Sequence, residues 1–279
     1  MVQTVKSKVL PADLTEIRAA STASGGTALT TTATGTGTPT ALGIVPIPYG
    51  ADYLSITARN FAGCAVARVS LNPYLTIFYT VNAGSTVTDI SAEMQDGDTT
   101  DVAIDDFAIT GTGYMYVGAD LPFRGVSIDV GTGPNGTASE LTVKYWSSTG
   151  AWVDISDTDS TESGGNTSLA VDGSVTWTVP AAWKKASLGV TGDTLPTAQS
   201  QSSPQYWTRW EWAAALDSDT DIAQMFALNR STAYAELLEG QTLEIGLTNR
   251  RVGCIQGITN AGTANLVVNV GAVAAEEFD

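Results

Sequence analysis

Carboxylates are the groups from which any chemistry in this chain would have to be built. Its 279 residues include 29 Asp and Glu, 13 Lys and Arg, and no histidine. The absence of imidazole removes the commonest general base, the commonest metal ligand and every Ser-His or Cys-His nucleophile. Carboxylate-only catalysis and a Ser-Lys pair survive that exclusion. A glycosidase needs two carboxylates across a cleft, but in so acidic a chain some pair is always near, so the sequence gives such an enzyme no support. Three acidic runs have alternating spacing: Asp96, Asp98 and Asp101; Asp154, Asp157 and Asp159; and Asp217, Asp219 and Asp221. Alternate Asp on a loop can turn several carboxylates toward one hard cation, so calcium is the one cofactor this pattern admits. None of the three has an EF-hand loop closed by a Glu, and turn aspartates capping backbone donors give the same spacing. No phosphate loop, metal-ligand spacing or nucleophile motif is present, and the chain reads as a non-enzyme.

Aromatic residues offer a second chemistry, stacking. In Tyr206-Trp207-Thr208-Arg209-Trp210-Glu211-Trp212, strand alternation puts Trp210 and Trp212 on one face with Thr208, and Trp207 with Arg209 on the other. Packing between sheets is one reading. The other is a platform for a glycan or an interface, carried by Trp210 and Trp212. Cys64 and Cys254 sit in similar contexts, Gly63-Cys64-Ala65-Val66 and Gly253-Cys254-Ile255. Two cysteines do not make a disulfide scaffold, and they read as small buried hydrophobes or, if their Cα atoms lie within bridging range, as neighbours.

The elements that must hold these residues are strands. Thr, Val, Tyr and Trp favour strands, while 28 Gly and 10 Pro supply turns. Short alternating runs bounded by turn chemistry predict an all-β chain of antiparallel β-sandwich domains, jelly-roll or immunoglobulin-like, with an extended N-terminal arm. The arm is residues 1–48. One short helix is expected over Pro11–Arg18, followed by a Thr/Gly/Ala-rich stretch with too few large apolar residues to fold on itself. Fully extended, this arm would reach roughly 160 Å. Val2, Val5, Val9, Leu10, Leu14 and Ile17 are poor choices for a purely solvated tail and are the expected arm contacts with a neighbour. Residues 49–113 and 229–279 are expected to form one discontinuous β domain, with a brief helix over Ser231–Leu238. Residues 114–228 form a β-sandwich inserted into it.

The run Tyr116-Val117-Gly118, Phe123-Arg124-Gly125-Val126, Val143-Lys144-Tyr145-Trp146, Trp152, Val171-Asp172-Gly173-Ser174-Val175-Thr176-Trp177, Pro180, Trp183 and Tyr206-Trp207-Thr208-Arg209 resembles a recurring β-sandwich module of tailed-phage virion proteins. The resemblance covers about 100 residues and implies a particle-associated protein without fixing its place on the particle.

The expected function follows from both readings. A formal charge of −16 repels DNA and anionic membrane surfaces, no apolar run is long enough to cross a membrane, and the N-terminus has no signal-peptide core. The chain is expected to be made in the host cytoplasm and to end in the virion. There it would act as a capsid decoration or cement protein, a homo-oligomer (a trimer is one natural form) bound to the major capsid protein. A glycan-binding tail or fibre protein and a head-tail joining component are the alternatives. Removal of residues 1–40 is expected to leave a folded protein that no longer binds particles.

Overall fold

The computed structural model describes residues 14–19, 25–81, 86–97, 113–193, 202–228, 235–247 and 251–273. Among them every regular element longer than a single 3-10 turn is a strand, and all strand pairings are antiparallel. No helix there is long and apolar enough to cross a membrane. The protein is all-β, and its described residues form four sheets arranged as two sandwiches.

The first sandwich is built from the two ends of the chain. Its outer sheet runs β1 (Leu14–Ala19), β20 (Thr263–Val273), β4 (Tyr53–Ala62) and β18 (Thr242–Gly246), with β2 (Thr27–Leu29) also on β20. Its inner sheet runs β17 (Ala235–Leu237), β5 (Ala67–Pro73), β19 (Val252–Thr259) and β3 (Ile44–Pro46). Strand β4 buries Leu54, Ile56 and Ala58 and leaves Tyr53, Ser55 and Thr57 half-exposed, the period of a strand with one wet face. Its buried face meets Leu266, Val268 and Val270 of β20 and Val69 and Ile255 of the inner sheet in one core.

The second sandwich is inserted between β5 and β17. One sheet runs β11 (Trp152–Asp154), β10 (Leu141–Trp146), β15 (Gln205–Trp212), β8 (Met115–Ala119), β6 (Thr76–Val81) and β7 (Thr86–Asp89), with β14 (Lys185–Ala186) also on β15. The facing sheet runs β12 (Thr158–Asp159), β13 (Gly173–Thr176), β9 (Gly125–Asp129) and β16 (Gln224–Leu228). Between them Met115, Val117, Val143, Trp210 and Trp212 meet Val126, Ile128, Val175 and Met225. The hairpin β10–β11 turns through Ser147–Gly150.

The boundary of the insertion differs from the sequence expectation. Strand β6 pairs with β8, Thr76 opposite Gly118, and Leu75 and Ile77 fill the second core. The insertion therefore opens at Leu75, two residues after β5 ends. An amphipathic strand fits either sheet, and its partner is decided by packing alone.

Two expected helices are strands where they are described. Leu14–Ala19 pairs with Asn269–Val273, and Ala235–Leu237 pairs with Ala67–Val69. In each case a sheet edge supplies hydrogen bonds that a short isolated helix cannot match. The arm is also corrected. Leu29, Leu42, Ile44, Val45 and Ile47 are buried in their own chain, so residues 27–47 belong to the fold. Between β2 and β3 the low-complexity stretch straps the two sandwiches together. Gln256 Nε2 donates to Ala33 O at 2.7 Å, while Gly35 N donates to Ser174 Oγ and Gly37 N to Asp172 O, both at 2.8 Å. Gly43 explains part of the composition: it has φ +73°, and a Cβ there would lie 2.1 Å from Gly257 O.

The inner sheet of the first sandwich also packs on β16 of the second. Ile44, Phe226, Leu228 and Cys254 form a small apolar cluster at the junction, and the fully buried Asn72 donates to Ala227 O at 2.7 Å. Strands β16 and β19 are consequently buried on both faces.

Candidate functional site

Strand β15 is the centre of the aromatic chemistry, because alternate residues serve opposite faces of its sheet. Trp210 and Trp212 point into the second core and are 0% and 4% exposed. This corrects their reading as a glycan platform: no ring face is left for a ligand. Trp210 packs edge-on to Trp177 at 6.5 Å and donates its indole N–H to Thr208 Oγ1 at 3.0 Å. The burial of so many indoles follows from their area, which the core needs more than the surface does.

The opposite face of β15 carries a polar network under a loop. Arg209 lies between two aromatic rings, its guanidinium carbon 4.4 Å from the Tyr114 centroid and 5.0 Å from that of Trp152. It pairs with Asp193 at 2.7 Å and Glu211 at 2.6 Å, and Glu211 also pairs with Lys144 at 2.7 Å. Trp152 Nε1 donates to Asp193 Oδ2 at 2.9 Å. Burial, then the Asp193 carboxylate, pushes the Tyr116 hydroxyl well above the ordinary tyrosine range. Beside this network Phe78, Tyr116, Leu188 and Trp207 form an apolar cluster that seats the 187–193 loop. Two cations and two carboxylates neutralise one another here, and every partner is a neighbouring side chain, so the network is built to hold the loop. Alternation placed Arg209 on this face. Asp193 lies on a loop outside any alternating pattern, and no sequence signal joined the two.

The acidic runs divide. Asp98 and Asp101 lie outside the described residues, and Asp96 closes the 3-10 turn Glu93–Gln95. At Asp217, Asp219 and Asp221 the chain makes a tight turn in which Asp217 Oδ1 accepts from Asp219 N at 3.4 Å and Asp217 O accepts from Thr220 N at 3.0 Å. Asp221 N donates to Gly133 O at 2.7 Å. Asp154, Asp157 and Asp159 line a shallow cleft of about 280 Å³ with Glu140 and Glu162. There Ser156 N donates to Asp154, Val143 N to Asp157 and Thr161 N to Asp159. Burial lifts the Asp157 carboxyl to about 6, against the Val143 hydrogen bond. Among the described residues no three His, Cys, Asp or Glu side chains converge to hold a metal ion, and the carboxylates of Asp154, Asp157, Asp159 and Asp217 accept from backbone N–H groups.

The cysteines are both free. Cys254 is buried at the junction and Cys64 is half-buried in the β4–β5 turn beside Asn260. Of the arm residues, Val2, Val5, Val9 and Leu10 lie outside the described residues, whereas Leu14 and Ile17 are in β1 opposite Val273 and Gly271. Strands β1 and β2 follow each other along the same side of β20, pairing with Asn269–Val273 and Ala264–Leu266. The N-terminal segment thus acts as an interrupted edge strand.

No protein-family model, curated protein or solved structure matches this chain.

Proposed function

We propose that this chain is a structural component of a tailed-phage particle, a capsid decoration or cement protein that works by making contacts. The observation that carries the reading is the N-terminal edge strand. Leu14–Ala19 and Thr27–Leu29 hold β20 by main-chain pairing, and strand addition to an open edge is a general way for an extended segment to join another protein. The residues ahead of β1 include Val2, Val5, Val9 and Leu10. In this reading they extend that segment onto the major capsid protein, and several copies of the chain, three in one natural arrangement, share the shell. The resemblance of residues 114–212 to virion sandwich modules supports the same assignment, as does a net charge of −16, which repels nucleic acid.

The test is retention on particles. Full-length chain should co-purify with virions in an amount proportional to the capsid protein. A chain lacking residues 1–19 should fold and stay in the supernatant. The shorter truncation replaces the removal of residues 1–40, because Leu29 and β2 belong to the core. Equal retention of both chains, or absence of the protein from virions, contradicts the assignment.

A further inference from the structure

We propose that the cleft beside Tyr49 and Tyr74 binds a short neutral saccharide, with Tyr49 as the stacking face and Arg251 as the principal donor. Tyr49 is 76% exposed, and among the described aromatic residues it alone is exposed; the others are buried or half-buried. Its position is imposed by the backbone. Tyr49 sits in a turn closed by Ala51 N donating to Pro48 O at 3.3 Å, with Gly50 at φ +85°. Ile47 N donates to Gly253 O before the turn, and Asp52 N to Gly271 O after it. A large apolar ring is thus held in water by a stapled turn, when a looser loop would let it fold back.

The ring forms one wall of a corner. Tyr74 meets it edge-on, the centroids 5.7 Å apart and the planes at 63°. Tyr74 is itself fixed, its N–H donating to Arg251 O at 3.0 Å. The cleft between them holds about 400 Å³, with Ala51, Leu247 and Val252 as apolar lining and Asp52 and Arg251 as charged lining. That volume falls in the range of small-ligand sites and admits one or two sugar rings.

A pyranose matches this chemistry: one face of C–H bonds for the tyrosine ring, and a rim of hydroxyls for the guanidinium, the carboxylate and the tyrosine hydroxyl. The field disfavours an anionic ligand. Burial, then Asp89 and Tyr49, raise the Tyr74 hydroxyl to about 12, with Arg251 opposing and Asp96 adding. The chain's overall charge of −16 acts in the same direction against anions. So open a corner binds weakly as a single site and gains strength when several copies are displayed together.

The experiment is saturation-transfer NMR on the full chain with glucose, galactose, mannose and N-acetylglucosamine, each at millimolar concentration. At least one sugar should receive saturation on its ring C–H protons. Tyr49→Ala should weaken binding by about tenfold, Tyr49→Trp should retain it, and Arg251→Ala should weaken it. Because Tyr49 is exposed, Tyr49→Ala should leave the near-UV circular dichroism and the melting temperature unchanged. No saturation of any sugar, or saturation indifferent to Tyr49→Ala, overturns the proposal. So does saturation of adenosine without any sugar. A native mass that falls to monomer in Tyr49→Ala, with no sugar effect, assigns the corner to contact between copies and likewise overturns it.

Discussion

Trp210 lies between Trp177 and Trp212 with its indole N–H satisfied, so truncating it removes core and leaves a cavity. Trp210→Ala should lower stability by roughly 3–5 kcal/mol in denaturant titration, whereas an exposed platform residue would cost almost nothing. Asp157 gives a pH signature. Its carboxyl rises from 3.8 unfolded to about 6 folded, so the folded state binds the extra proton. Stability should therefore fall as pH rises from about 4 to about 6 and level off above. The loss is about 1 kcal/mol after solvent screening at a half-buried group. Asp157→Asn should flatten that slope in melting curves taken across the window. The cysteines should separate in the same way. Burial pushes the Cys254 thiol up to about 12, so at pH 8 a thiol reagent should modify Cys64 alone in the native protein and both residues after unfolding.

Among the elements, β1 is held by main-chain pairing on β20. A chain lacking residues 1–19 should lose only about 1–3 kcal/mol, a handful of hydrogen bonds worth roughly 1 kcal/mol each, as read from its melting curve. The 187–193 loop rests on the Arg209 pair with Asp193, in which both side chains are about one-eighth exposed. Arg209→Ala leaves that carboxylate without its cation and should destabilise by roughly 3–5 kcal/mol. Hydrogen exchange should quicken first at Leu188–Asp193. The strands themselves were legible where alternation is clean. Tyr53–Ala62 and Leu141–Trp146 read directly from their period, because each buries one face. Pro11–Arg18 and Ser231–Leu238 read as helices but contribute to strands over Leu14–Ala19 and Ala235–Leu237, since a short segment has no period strong enough to outvote a sheet edge waiting elsewhere in the chain.

For the whole molecule, the junction makes two sandwiches answer to each other. Asn72, Phe226 and Cys254 join them, and the 30–43 strap crosses both. The full chain should unfold in one transition by calorimetry. Asn72→Ala, which takes the amide donor from the buried Ala227 carbonyl and leaves it only the weak Cys254 thiol, should broaden or split it. What the sequence by itself determined was the class of the molecule. Strand formers punctuated by Gly, the absence of histidine and the excess of acid settle an all-β, acidic protein without imidazole chemistry, because these are properties of composition and of local period. Tertiary structure decided which residues are available. It put Trp210 inside and Tyr49 outside, folded residues 27–47 into the core, and brought Asp193 to Arg209. Burial and contact between distant segments depend on which faces the sheets turn toward one another, and a period of two names a face without saying what will cover it.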